Sequence, residues 1–176
     1  MATPLIAVLW TLAVPALADG QPRVTGFPDT DDGSLVTFGD ADYAWTIRPL
    51  DGSPTTLEPF HGEVLFINLW ASWCPPCVRE LGSIERLQER LADADVRFLI
   101  VAAEGERPVR RFLRRYGYDL PFYLEISRMP GSFGLRGLPT SWVIDRDGRI
   151  VLVRHGEAVW DTDEVEAFLR RVAGAP

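Results

Sequence analysis

Residues 64–77 read VLFINLWASWCPPC, an apolar run of strand length followed at once by a cysteine pair. The first seven of these residues are almost all apolar, as expected for a central strand that is buried on both faces. Beyond the cysteines, Leu81, Ile84, Leu87 and Leu91 recur at helical spacing and predict an amphipathic helix. The stretch therefore predicts a buried strand that leads directly into a helix, with two thiols at the junction.

Cys74 and Cys77 are placed for thiol-disulfide chemistry. Cys74 falls at the predicted start of the helix, where unpaired N–H groups and the positive end of the helix dipole favour the thiolate. We expect Cys74 to be the nucleophile and Cys77, one turn further on, to resolve a mixed disulfide by intramolecular attack. Pro75 and Pro76 suit a first helical turn, where N–H groups lack partners in any case. The alternative is a purely structural disulfide, but a bridge around two residues constrains little chain entropy.

Glu80 is an acid on the apolar face of the same predicted helix. At about 100° per residue it lies roughly 60° from Cys77, among the aliphatic side chains. A carboxylate buried beside a thiol has a raised pKa and can take the proton that Cys77 loses when it attacks. We therefore predict a catalytic role for Glu80. The alternative is a residue at the helix edge that reaches solvent or pairs with an arginine.

Strand and helix patterns alternate through the rest of the chain. Residues 96–102 form a second buried apolar run, and residues 106–116 predict a helix that ends at Gly117. The residues at core spacing in that helix are Val109, Phe112, Leu113 and Tyr116.

Turn and cap signals complete the predicted topology. Asp51-Gly52 is flanked by residues 43–48 and 53–57, and Asp147-Gly148 by residues 141–144 and 149–154, and both turn dipeptides predict hairpins. A last helix is expected to open with a capping box formed by Asp161 and Glu164. Its predicted buried residues are Val165, Phe168, Leu169 and Val172. The order predicts one α/β domain with a central mixed sheet, helices on both faces and an added N-terminal hairpin.

Composition limits the class of protein. The chain has 176 residues, 47% of them hydrophobic, which is enough for one domain with a substantial core. Its 18 basic residues are all arginines and face 25 acids, for a net charge of -7, which argues against nucleic-acid binding. The two cysteines exclude any wider disulfide framework.

Residues 1–18 have the features of a signal peptide. An apolar run precedes Ala16-Leu17-Ala18, a small-residue cleavage site before Asp19. We expect cleavage after Ala18 and export to the periplasm, although no basic residue precedes the run; a retained N-terminal anchor is the alternative. Residues 19–42 are acidic and rich in glycine and proline, and predict a flexible arm ahead of a domain at residues 43–176.

Three separated motifs resemble one protein family. Residues 71–81 (ASWCPPCVREL), 137–140 (GLPT) and 144–148 (IDRDG) are similar, in the same order, to the TlpA/ResA-like exported thiol-disulfide oxidoreductases of the thioredoxin fold. The resemblance implies a thioredoxin-like sheet, a cis peptide bond before Pro139 at the place where substrate backbone binds, and a match between Glu80 and the acid that members carry after the second cysteine. The residues expected to contact substrate are Trp73, Pro75, Pro76, Leu138, Pro139 and Thr140.

Two positions depart from related patterns. Cytosolic thioredoxins place a buried Asp in the strand before the cysteines, and this chain has Asn68 there, so Glu80 is the only candidate for proton handling. Relatives dedicated to cytochrome c maturation often carry a Glu after the cis-proline, where this chain has Thr140. That difference weakens the case for a dedicated cytochrome c function.

The resemblance implies a periplasmic reductant of protein disulfides, with apocytochrome c or a copper-site cysteine pair as clients. An inner-membrane electron donor of the CcdA/DsbD type is expected to re-reduce the pair. We expect no cofactor or metal beyond the redox-active disulfide Cys74–Cys77, and a monomer that binds no nucleic acid.

Other functions fit the residues less well. A copper chaperone that uses the two thiols and a histidine is the alternative, since thiolates suit Cu(I). His61 and His155, however, have no recognisable ligand spacing to the cysteines. A peroxidase needs Thr and Pro before a single cysteine, which Trp73-Cys74 lacks.

A basic stripe is expected on the second predicted helix. Its residues are Arg107, Arg110, Arg111, Arg114 and Arg115. A solvated face is the default interpretation, and a docking surface for an acidic partner is the alternative.

Overall fold

The computed structural model describes Val24 and residues 35–174. The predicted signal peptide, residues 1–18, lies outside the described residues. In the part of the chain that is described, no helix has the length and apolar character needed to cross a membrane.

Within Val24 and residues 35–174, the domain has seven strands and three α-helices, most of which follow the sequence patterns. The strands are β1 (Thr46–Pro49), β2 (Thr55–Thr56), β3 (Val64–Trp70), β4 (Val96–Ala102), β5 (Phe122–Glu125), β6 (Thr140–Ile144) and β7 (Ile150–His155). The helices are α1 (Pro75–Arg90), α2 (Glu106–Tyr116) and α3 (Asp163–Val172), with short 3-10 helices at Glu58–Phe60 and Gly131–Phe133.

The strands form one mixed sheet in the order β2-β1-β5-β4-β3-β6-β7. The two inner pairs, β3 with β4 and β4 with β5, are parallel because helices connect them, and the other pairs are antiparallel. The predicted N-terminal hairpin β1–β2 pairs with β5 and so extends the sheet at one edge. This sheet confirms the predicted α/β class with a thioredoxin-like core.

The two faces of the sheet are covered differently. Alternate residues of β3 divide between them: Phe66 and Trp70 face one side, while Leu65, Ile67 and Leu69 face the other. The buried apolar side chains of all three α-helices pack on the first side. The second side is covered by the segment before β1 and by the two 3-10 helices. Helices therefore lie on both faces, as expected, but those on the second face are short 3-10 helices and the three α-helices all pack on the first.

Residues 35–42, at the end of the predicted arm, run beside the last hairpin. The Phe38 N–H donates to the carbonyl of Ile150 at 2.7 Å, and the Ala41 N–H donates to that of Gly148 at 2.9 Å. Backbone hydrogen bonds therefore attach this part of the segment to the sheet edge.

Three details differ from the sequence predictions. Tyr116, expected in the core, is 50% exposed at the end of α2. Thr162, and not Asp161, caps α3, because its side chain accepts from the Val165 N–H at 3.3 Å while Asp161 forms an ion pair with Arg86. Strand β5 was not predicted, since four residues carry too short an alternation to stand out.

Candidate active site

Strand register brings the cysteine motif and the proline loop to the same edge of the sheet. Leu69, near the carboxyl end of β3, pairs with Thr140, the first residue of the antiparallel strand β6. Residues 71–74 continue from β3, and Leu138-Pro139 leads into β6. The two loops therefore meet although they are some sixty residues apart in sequence.

Cys74 and Cys77 form a disulfide at the start of α1. Cys74 is the N-cap residue, and its sulfur accepts a hydrogen bond from the Cys77 N–H at 3.3 Å. Cys74 retains 5% of its surface and Cys77 none. A sulfur that receives an N–H at the positive end of a helix is stabilised as a thiolate. The geometry therefore favours Cys74 as the attacking sulfur.

The residues expected to contact substrate surround this disulfide at different depths. Trp73 is 67% exposed, Pro75 is exposed, and Pro76 and Leu138 are half-buried. Pro139 and Thr140 are buried, and the Leu138–Pro139 peptide bond is cis, as the resemblance implied. The accessible part of the edge is thus an apolar rim around Cys74.

Hydrogen bonds hold the proline loop from beneath. The Thr140 hydroxyl donates to the carbonyl of Gly137 at 2.7 Å, so its oxygen is left to accept from His155 Nδ1 at 3.2 Å. The Gly156 N–H donates to the carbonyl of Pro139 at 2.8 Å. Partial burial and the charge of Arg136 lower the pKa of His155, which favours the neutral ring. His155 therefore supports the loop, a role that its sequence position did not suggest.

Glu80 lies in the core, without exposed surface, on the face of α1 that carries Cys77. Its Oε1 accepts from Asn68 Nδ2 at 2.7 Å. Its Oε2 accepts from the Ala158 N–H at 3.1 Å and from Trp160 Nε1 at 3.2 Å. Trp160 was missed at the sequence level, because no local pattern links it to a helix about eighty residues earlier.

The environment of Glu80 shifts its proton affinity strongly. Burial raises its pKa from 4.5 to about 7, while the hydrogen bonds from Asn68, Trp160 and Ala158 offset part of that effect and the charge of Glu157 adds to it. Desolvation wins because three donors cannot replace the hydration of a carboxylate. Glu80 is therefore a buried acid that is poised to exchange a proton near neutral pH.

Asn68 connects β3, α1 and β6 beneath the disulfide. Its Nδ2 also donates to Ser141 Oγ at 2.9 Å, and both side chains are buried. Its Oδ1 has no partner among the described residues. The position where thioredoxins carry an acid thus holds a neutral donor that stabilises the Glu80 carboxylate.

The two histidines have other partners than the cysteines. His61 stacks on Tyr43 with ring centroids 3.7 Å apart, and His155 contacts Thr140. Across Val24 and residues 35–174, no group of three or more His, Cys, Asp and Glu side chains is arranged to hold a metal ion. These contacts lend no support to the copper-chaperone alternative.

Together, the fold and the cysteine pair define a class of protein, the thiol-disulfide oxidoreductases with a thioredoxin-like fold. Within that class the chain belongs to the Redoxin family, which it matches over residues 28–169. This membership confirms the resemblance seen in the sequence motifs.

Individual relatives agree with this assignment. The chain is 33% identical to the thiol-disulfide oxidoreductase ResA of Halalkalibacterium halodurans over 147 residues, which cover 82% of each chain. It is 28% identical to ResA of Bacillus anthracis over 130 residues, covering 73% of this chain and 74% of that one. A solved thiol:disulfide interchange protein of the thioredoxin family from Chlorobium tepidum shares the fold, with a TM-score of 0.62 and 24% identity, over 74% of this chain and 96% of that one.

Proposed function

We propose that this oxidoreductase acts in the periplasm as a reductase of protein disulfides. The Cys74 thiolate attacks one sulfur of a client disulfide, and the first client thiolate leaves as a mixed disulfide forms. Cys77 then attacks the Cys74 sulfur, which closes the Cys74–Cys77 disulfide and releases the second client thiolate. The client gains two electrons and, with the protons, two thiols, and the protein dithiol is oxidised.

The difference in burial between the two sulfurs supports this order of attack. Cys74 reaches the surface at the apolar rim, while Cys77 is enclosed and its N–H donates to Cys74 Sγ. A client disulfide can therefore reach Cys74 first, and the mixed disulfide then lies within reach of Cys77. This asymmetry is the single observation that carries the proposed thiol-disulfide exchange through Cys74.

Glu80 is proposed as the proton acceptor for Cys77. Residues three apart on a helix have Cβ atoms about 5–6 Å apart on one face, so Glu80 and Cys77 are neighbours on the buried face of α1. With a pKa of about 7, Glu80 is available in both protonation states near neutral pH, as a group that takes up and returns a proton requires. The same residue would return the proton to Cys77 when the disulfide is reduced again.

The rim around Cys74 is proposed to hold the client. Trp73, Pro75, Pro76 and Leu138 offer accessible apolar surface, and the buried Pro139 and Thr140 shape that surface from below. Apocytochrome c or a copper-site cysteine pair are the proposed clients, and a CcdA/DsbD-type membrane protein is the proposed electron donor.

Export rests on the sequence of residues 1–18. If Ala18 is the last residue removed, the mass of the protein recovered from the periplasm equals that of a chain beginning at Asp19. Recovery of the full-length chain from a membrane fraction would contradict cleavage and support a retained N-terminal anchor.

The direction of electron flow is tested by the reduction potential of the Cys74–Cys77 pair. A reductase requires a value near that of thioredoxin, about -270 mV, whereas strong oxidants lie near about -120 mV. Equilibration with glutathione or dithiothreitol buffers, followed by alkylation and mass measurement, gives the potential directly. A value close to the oxidant end would contradict the reductase proposal and leave the class of protein intact.

A further inference from the structure

A groove of about 510 Å³ borders the cysteine motif on the side of α2. Ser72 and Val78 form its wall on the active-site side, two residues before Cys74 and one after Cys77. Three arginines and an aromatic ring form the opposite wall: Arg107, Arg111, Arg115 and Tyr116. Because Arg107, Arg111 and Arg115 are four residues apart, they form one row along the helix.

These three arginines lack the acidic partners that Arg110 and several other arginines of the domain have. Arg110, on the same helix, binds Glu106 at 2.6 Å and the carbonyl of Leu50 at 2.5 Å. Among the described residues, by contrast, no carboxylate forms an ion pair with Arg107, Arg111 or Arg115. All three are exposed. The nearby Glu104 carboxylate accepts from the Ser72 N–H.

Arg115 lies over the ring of Tyr116, 5.5 Å from its centroid, but no carboxylate of the described residues neutralises any of the three arginine charges. Such a cluster in a chain of net charge -7 concentrates positive potential at one place on the surface. The walls of a groove strengthen that potential because they exclude water. We infer that the groove binds an acidic polypeptide segment next to the cysteine of the client disulfide. This inference rests on the proposed action on protein disulfides and specifies which clients are preferred.

The dimensions suit such a segment. An extended chain advances about 3.3 Å per residue, so an acid three residues from the client cysteine lies about 10 Å from the reacting sulfur. Ser72 lines the groove two residues before Cys74, so the groove begins next to the reacting sulfur. The half-exposed ring of Tyr116 and the partly exposed side chain of Val78 offer apolar contact to the client residues between the reacting cysteine and the acid.

The test compares three disulfides with the reduced protein: a peptide with Glu residues beside its disulfide, the same peptide with Gln instead, and oxidised glutathione. Stopped-flow rates at low ionic strength are expected to favour the Glu peptide over the Gln peptide by roughly tenfold. The preference should shrink as salt is added, because screening acts on exposed charges. Each peptide is also run as a dithiol against the oxidised protein, so that the comparison holds in either direction of exchange.

Variants then locate the effect. The triple variant Arg107→Gln, Arg111→Gln, Arg115→Gln is expected to bring the ratio of the two peptide rates close to one. Arg114→Gln is the matched control, since Arg114 is exposed on the same helix but does not line the groove, and it should keep the ratio. Gln preserves helix propensity, and circular dichroism checks the fold of each variant.

Equal rates for the two peptides with the native protein would overturn the inference, as would a preference that survives the triple variant. An arginine dependence seen with oxidised glutathione but not with the peptides would overturn the inference and assign the groove to a small acidic disulfide instead. Equal rates with efficient exchange leave the proposed reductase standing. Failure to exchange with any disulfide would contradict that function itself, so the two failures are distinguishable.

Discussion

Glu80 accepts a hydrogen bond from Asn68 at 2.7 Å in a part of the core where neither side chain has exposed surface. An ionised acid in that position is stabilised by three donors but has lost its hydration. The balance between these two effects determines how the protein responds to pH, and it can be measured in several ways.

The first prediction concerns stability. The folded protein keeps a proton on Glu80 up to about pH 7, whereas the unfolded chain releases it near 4.5, so raising the pH between these values favours unfolding. Relative to Glu80→Gln, the native oxidised protein should lose about 3 kcal/mol of unfolding free energy across that range. Denaturant titrations at several pH values measure the difference. A difference that does not change with pH would show that Glu80 titrates normally.

A second prediction concerns the resolving step. The mixed disulfide on Cys74 is formed at low pH and the pH is then raised, while release of the peptide is followed. Release should accelerate with pH and level off above about 7, as the Glu80 carboxylate becomes available to take the proton of Cys77. Glu80→Gln should lack this inflection. Glu89→Gln, an exposed residue on the same helix, is the control and should keep it.

Replacing Asn68 tests the partner of Glu80. Asn68→Asp exchanges a donor for a second acid, so the two carboxyl groups share a proton and titrate as a coupled pair. The inflection in the release rate should then move above that of the native protein, because the second charge opposes ionisation of Glu80. An unchanged inflection would mean that Asn68 does not influence the proton acceptor.

Two glycines give a prediction about the last hairpin. Gly148 and Gly117 both have positive φ, but a Cβ on Gly148 would lie 3.3 Å from the ring of Tyr43, while a Cβ on Gly117 meets nothing within 4 Å. We expect Gly117→Ala to cost about 1 kcal/mol, from the backbone conformation alone. Gly148→Ala should cost about 1 kcal/mol more, because the ring must move. Equal costs by thermal or denaturant unfolding would contradict the contact with Tyr43.

The sequence predicted those features that are encoded locally. Strand β4 and helix α2 have the predicted bounds, since a continuous apolar run and a C-terminal glycine are both strong signals within a few residues. The placement of Cys74 at the start of α1 and of Glu80 on its buried face likewise followed from their positions in the helical repeat. The prediction that Tyr116 is buried was wrong, because the helical repeat does not show how far along α2 the core extends.

Features that depend on contacts between distant segments were not predictable. Trp160 reaches Glu80, and His155 reaches Thr140, only after the sheet and α3 have formed. Thr162 caps α3, while Asp161 pairs with Arg86 of α1, a contact between segments about seventy-five residues apart. The groove between the arginine row of α2 and Ser72 exists only in the folded domain, because its two walls come from separate segments of the chain.

The identity of the attacking sulfur is the central claim, and trapping the mixed disulfide tests it most directly. Reduced Cys77→Ser and reduced Cys74→Ser are each mixed with a disulfide peptide, and the adducts are measured by intact mass. We predict a stable adduct, reversed by dithiothreitol, on Cys77→Ser and little or none on Cys74→Ser, because Cys77 is enclosed. Faster adduct formation on Cys74→Ser than on Cys77→Ser would contradict the account.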